Sequence, residues 1–223
     1  AANANVAAET SRQTYLLVHG AWHGGWCWRD IRVPLQAAGH AVFTPSLTGL
    51  GDRLHLRSPE VDLSTHVADV VNLMEFEDMQ DVILVGHSYA GHVVSWVADK
   101  TKERLRHIVY LDAALPTDGE SFLPPGVGEE RMKVAKDGYL MAPNSMDFLG
   151  IPKDHPLYGW VEGKLVEHPL PTLMETVRFE NGGPAGVPKT FVRCLQGSRM
   201  TSGEPDPVAA IAANDPEWNY ITI

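Results

Sequence analysis

The heptapeptide VGHSYAG at residues 85–91 sets a hydroxyl nucleophile, Ser88, among small residues, with Gly86 two places before it and Ala90 two places after. An apolar run, DVILV, leads straight into it, and a helical pattern, AGHVVSWVADK, follows. Strand, sharp turn, helix is the layout of a nucleophile elbow. Such a turn lifts the serine clear of a sheet on strained backbone angles, and strand and helix nearly touch around it. Gly86 and Ala90 keep bulk out of that contact, and Gly91 lets the helix pack closely. The helix N-terminus turns free N–H groups and its positive dipole end towards the serine. The chemistry this suits is acyl transfer, in which the serine oxygen attacks a carbonyl and forms a covalent intermediate. A phosphate-binding loop is the rival for such a turn, but no Lys follows Gly91. The stretch GLGDRL at 49–54 is too short and misplaced for a dinucleotide fingerprint.

Acyl transfer also needs preorganised donors for a developing oxyanion. The N–H of Tyr89, the residue after the serine, is one candidate. The other belongs to the loop after the first strand, VHGAWHGGWCW at 18–28, where Ala21 is best placed. His19 and His23 in that loop read as hydrogen-bonding its backbone. Their H-x-x-x-H spacing suits a metal only on a helix, which these glycines forbid, so no metal site is expected. Trp26 and Trp28 read as packing residues.

These groups need a scaffold. Apolar runs predict strands over 14–20, 41–47, 81–87, 107–113, 189–195 and 218–223. Helical spacing predicts helices over 28–40, over 65–76 with Ser64 as N-cap, after the serine, and over PVAAIAAN. Strands alternating with helices imply an α/β fold, a wound and mostly parallel sheet with about six strands visible. The strands are nearly all apolar, as in a sheet covered on both faces. Between 114 and 188 the alternation stops and Pro, Gly, Met and aromatics dominate, which predicts an inserted cap without strands. Residues 1–10 read as a loose tail and 11–223 as a single domain.

The chain has 223 residues, 44% of them hydrophobic and 21% charged, with a formal net charge of −10. The acidic balance disfavours nucleic acid and anionic membrane surfaces as partners. No stretch approaches the ~18 uncharged apolar residues of a membrane span. Cys27 and Cys194 are too few for a disulfide scaffold or a zinc site and read as core thiols. The chain opens without Met, which fits a processed or an artificial end, so the compartment stays open.

HGAWHGGWCW, SLTGLGDRLHL, VDLSTHVADVVNLMEFEDMQDVILVGHSYAG and YLDAALP together resemble the α/β-hydrolase superfamily. Within it they are similar to the branch of bacterial pyrethroid-type carboxylesterases, plant methyl esterases and hydroxynitrile lyases. The likeness runs from about Thr14 to Pro116 and resumes weakly at KTFVRC and DPEWNY. It implies a Ser–His–Asp triad in the chain order nucleophile, acid, base, with no cofactor and a lid over an apolar pocket. It carries Ser88 across as nucleophile and the Ala21 and Tyr89 amides as the oxyanion hole. The lyases of the branch are expected to have Thr where Gly20 stands and a Lys near the catalytic His; neither is seen, which favours ester hydrolysis.

Two departures stand out. Relatives place the histidine after the last strand, whereas all ten histidines here lie at or before His168 and none fits the base position. The helix that covers that sheet edge is missing too, so the gene product is expected to run past Ile223 and to carry the base there. Relatives place the acid just after KTFVRC, where this chain reads LQGSRMTSGEPDP. The acid is then Asp112, at the end of the strand beside the nucleophile, or Asp206 or Glu204 in that loop. The resulting expectation is a carboxylesterase for hydrophobic small-molecule esters, with a cap rich in Met and aromatics that suits bulky, varied apolar ones. Its activity should rise as pH climbs through roughly 6.5, where free imidazole becomes neutral. A lyase of the same fold and a non-hydrolytic binding protein that lost its base are the open alternatives.

Overall fold

A computed structural model of the protein describes residues 12–195 and 207–223. The predicted tail, and both Glu204 and Asp206, lie outside the described residues. The main sheet has six strands: β1 (Thr14–Val18), β2 (Ala41–Phe43), β3 (Val82–His87), β4 (Leu105–Leu111), β7 (Lys189–Arg193) and β8 (Trp218–Thr222). Their spatial order is β2-β1-β3-β4-β7-β8, and every neighbouring pair is parallel. The helices α1 (Arg29–Ala37), α2 (Leu63–Phe76), α3 (Ala90–Thr101) and α7 (Pro207–Ala212) link these strands, as the alternating apolar runs predict.

Successive strand side chains point to opposite faces. Leu16, Val18, Leu84, Ile108, Tyr110 and Phe191 face α2 and α3 in the main core, with Val67, Val70, Met74, Val93, Val94 and Val97. Leu17 and Val85 face the other way, against Trp28, and their neighbours Tyr15, Val42, Ile83, Val109 and Leu111 stay half-buried. Among the described residues, then, both sheet faces carry apolar cover, one deeply and the other thinly. Apolar strand composition marks a face as buriable but does not say what lies over it.

Helix α2 starts earlier than Ser64 suggested. Asp62 is the N-cap: its carboxylate accepts the Thr65 N–H at 2.8 Å, and Thr65 Oγ1 accepts the Asp62 N–H in return. Ser64 sits inside the first turn, its hydroxyl donating to Asp62 at 2.8 Å. A carboxylate at the dipole's positive end outcompetes a hydroxyl two residues later.

The segment between β4 and β7 holds α4 (Val127–Met132), β5 (Leu140–Met141), α5 (Tyr158–Glu162), β6 (His168–Pro169) and α6 (Pro171–Met174). The pair β5–β6 is antiparallel, Leu140 opposite Pro169 and Met141 opposite His168. The sequence reading gave this insert no strands; two-residue strands are shorter than any alternation that could reveal them. The insert is tied to α3 by Asp99, whose carboxylate accepts N–H groups of Glu180, Asn181 and Gly183 at 2.7–2.9 Å. No described helix is long and apolar enough to cross a membrane.

Candidate active site

Ser88 follows the last residue of β3 and precedes α3, with φ at +54°. A non-glycine residue there is strained and persists only where its surroundings hold it. Its N–H donates to Leu111 O at 3.3 Å, and its carbonyl accepts from Gly91 N at 3.1 Å and Ala114 N at 3.0 Å. The space around the turn is full. A β-carbon at Gly86 would stand 2.8 and 2.9 Å from the Val94 methyls. One at Gly91 would stand 1.9 Å from the Ala114 carbonyl oxygen. Ser88 itself is partly exposed.

The two candidate oxyanion donors are left open. Among the described residues, no acceptor takes the N–H of Tyr89 or of Ala21. The peptide planes that carry them are fixed from behind. His19 donates from Nδ1 to Gly20 O at 2.9 Å, the carbonyl of the peptide unit whose N–H belongs to Ala21. His19 Nε2 accepts Leu47 N–H at 3.0 Å, which sets its neutral tautomer, and burial drives its pKa down to about 3. His23 Nδ1 donates to Ala21 O at 2.6 Å. Both histidines thus hydrogen-bond loop backbone, as expected of them.

Two further histidines stand behind the site. His66 donates from Nε2 to Thr48 O at 2.9 Å, so its Nδ1 accepts the Tyr89 hydroxyl at 3.0 Å. Burial holds its pKa near 4. His168, fully buried, accepts Trp22 N–H on Nδ1 at 3.2 Å and donates from Nε2 to Thr172 Oγ1 at 2.7 Å. Sequence reasoning assigned neither a place near the serine. His66 shares the spacing of Leu63, Val70 and Met74 on α2, the one signal that it faces inward. Nothing local marks His168.

Asp112 follows the last residue of β4 with φ at +43°, beside the serine turn, and its N–H donates to Val192 O at 2.8 Å. Its carboxylate accepts from Arg193 Nη1 at 2.7 Å. None of the ten histidines hydrogen-bonds Ser88 or Asp112. His87 comes nearest in sequence; its ring lies edge-on to His23 and Trp28 with centroids 6.3 and 6.5 Å away, and burial lowers its pKa to about 4. His92, on the first turns of α3, packs against Phe122, and neither ring nitrogen has a hydrogen-bond partner of good geometry. A cavity of about 480 Å³ lies beside the oxyanion loop, lined by Gly25, Trp26, Arg32, Thr44, Gly51, Asp52 and Lys164, and Ser88 is not in its wall.

The family model for the alpha/beta hydrolase family matches residues 15–220. The chain is 39% identical over 191 residues to a carbendazim hydrolyzing esterase of Nocardioides sp. (strain SG-4G), covering 80% of this chain and 78% of that one. It is 25% identical over 218 residues to methylesterase 1 of Arabidopsis thaliana, covering 84% of this chain and 80% of that one. Among solved structures, an extracellular alpha/beta-hydrolase of a Paenibacillus species superposes with a TM-score of 0.77 at 22% identity, over 95% of this chain and 89% of that one. An elbow serine at left-handed φ on a parallel sheet, with amide hydrogens open beside it, agrees with these matches: the chain belongs to the alpha/beta hydrolase family.

Proposed function

We propose that this protein is a serine carboxylesterase acting on hydrophobic small-molecule carboxylic esters. Ser88 Oγ attacks the ester carbonyl, and the Tyr89 and Ala21 amides hold the oxyanion of the tetrahedral intermediate. The intermediate collapses to an acyl-Ser88 with release of the alcohol, which takes up the serine proton through a base; water then releases the acid. Asp112 is the carboxylate assigned to orient that base, and Arg193 holds it in place. Residues 114–188 serve as the cap over the acyl group. The observation that carries the reading is the strained Ser88 flanked by two unengaged N–H groups.

The lyase alternative is disfavoured by space at Gly20. A β-carbon there would lie 2.9 Å from His87 Nδ1 and 3.2 Å from both His87 O and Ser88 Cβ. A threonine would need His87 to move. The test of the esterase reading is labelling with a fluorophosphonate, together with hydrolysis of aryl and methyl esters. Carbendazim belongs in the panel because the relative at 39% identity is named for it. The wild type is expected to take up one label and Ser88→Ala none, with hydrolysis falling by at least about 10⁴-fold. Equal turnover in the two proteins sinks the proposal.

A further inference from the structure

Trp22, in the candidate oxyanion loop, carries strain as Ser88 does. Its φ is +64°, and its side chain is bulky and buried, so nothing in its own chemistry favours that backbone. Both polar groups of its backbone are taken by the insert. Its N–H donates to His168 Nδ1 at 3.2 Å, and its carbonyl accepts Val166 N–H at 3.1 Å. His168 is held in turn: Nε2 donates to Thr172 Oγ1 at 2.7 Å, and that hydroxyl donates to Pro169 O at 2.7 Å. The direction of every proton in this chain is fixed, because Pro169 O only accepts and Trp22 N–H only donates. His168 is therefore a neutral ring with Nδ1 as its acceptor. The same ring packs on Tyr89 at 5.0 Å between centroids and on His66 at 5.9 Å.

We infer that His168 is a positioning residue of the oxyanion hole: it clamps the Ala21–Trp22 peptide through the Trp22 N–H, and so sets the direction of the neighbouring Ala21 N–H. The inference rests on the esterase reading, and it adds a residue from outside the catalytic sheet. The clamp couples the insert to the loop, since β6 carries both His168 and the bond register to β5. The Ala21 carbonyl on the far side of the same peptide is held by His23 at 2.6 Å. Together His168 and His23 grip one peptide plane from both edges. Releasing one edge lets the loop relax towards ordinary φ and swings the donor away from the oxyanion.

Asparagine and glutamine separate the clamp from general packing. In His168→Asn the side-chain oxygen falls where Nδ1 was and still accepts Trp22 N–H. In His168→Gln the amide falls where Nε2 was, keeps Thr172, and leaves Trp22 N–H without an acceptor. The expected result on the full chain is a kcat for His168→Gln about tenfold to a hundredfold below wild type with KM little changed, and rescue to near wild type in His168→Asn. Amide hydrogen exchange supplies a readout independent of turnover: Trp22 N–H stays protected in wild type and His168→Asn and exchanges faster in His168→Gln. The inference is overturned if His168→Gln keeps wild-type kcat, if both variants lose activity equally, or if Trp22 protection is the same in all three. A wild type without esterase activity sinks the function proposed above, and the exchange pattern alone then decides the clamp.

Discussion

Lowering the pH from 7 to 5 should cost this protein a large part of its stability, through histidines rather than carboxylates. His19, His66 and His92 are buried and lose most of their basicity to desolvation, to pKa values of about 3, 4 and 4. Their unfolded values are near 6.5. A base whose folded pKa is depressed binds protons preferentially in the unfolded chain. Stability is then full above pH 6.5 and falls as pH drops below it. At pH 5 each such ring favours the unfolded state by about 2 kcal/mol, from 1.36 kcal/mol per pH unit. The three together cost about 6 kcal/mol, against a typical total of 5–15 kcal/mol. His168, whose pKa burial also pushes well down, acts in the same direction. For a domain of this size the drop in Tm is about 12–24 °C. Carboxylates with unfolded pKa near 4 add little in this window. His92→Leu is the control. Desolvation outweighs the Glu120 carboxylate and the backbone near Ser121, which favour its charged form, and its ring nitrogens bond to nothing of good geometry. Removing it should spare neutral-pH stability and recover about a third of the loss at pH 5. Calorimetric or circular-dichroism melts of both proteins from pH 7 to 5 measure this. A wild-type Tm that moves by only a few degrees, or a His92→Leu curve parallel to wild type, refutes the reasoning.

Gly91→Ala forces backbone apart, since its β-carbon would stand 1.9 Å from Ala114 O and 2.8 Å from Ala114 N, the group that also bonds Ser88 O. It should lower stability by about 3 kcal/mol and fluorophosphonate labelling of Ser88 by about a hundredfold, read by urea denaturation and labelling rate. Asp99→Asn removes a charged acceptor from three backbone N–H groups. Burial raises the Asp99 pKa, but those donors outweigh it and hold it below the usual range. Its contribution is therefore present above pH 4 and lost below. The variant should cost about 2–3 kcal/mol at pH 7 in urea denaturation, and the gap should close as pH falls towards 2.

The sheet was legible because its strands are short apolar runs punctuated by Gly, His and Asp, and period and composition agree in each. The turn at Ser88 was legible for the same local reason, since small residues at 86, 90 and 91 answer to contacts within a few residues of the serine. What escaped was set by long-range partners. Ser64 looked like a cap, but Asp62 two places earlier wins with a charge. His168 is 146 residues from Trp22 in sequence, and only the folded insert joins them. Asp112 meets Arg193 rather than imidazole, and Arg193 lies beyond the reach of any motif around YLDA.

Three of the buried histidines, His19, His66 and His168, share one property that explains both their placement and their acid sensitivity. A neutral imidazole offers one donor and one acceptor on opposite sides of a rigid ring. His19 spends them on Gly20 O and Leu47 N, His66 on Thr48 O and the Tyr89 hydroxyl, and His168 on Thr172 and Trp22 N. Each bridges a chain segment near the oxyanion loop to another that sequence leaves distant. Protonation turns the acceptor into a second donor, so the bridge to Leu47 N–H or Trp22 N–H becomes a repulsion, while the Tyr89 hydroxyl can turn and accept. The rings that hold the amides still at neutral pH are thus the rings that let go in acid. Loss of the proposed oxyanion geometry and part of the loss of folding stability draw on the same groups.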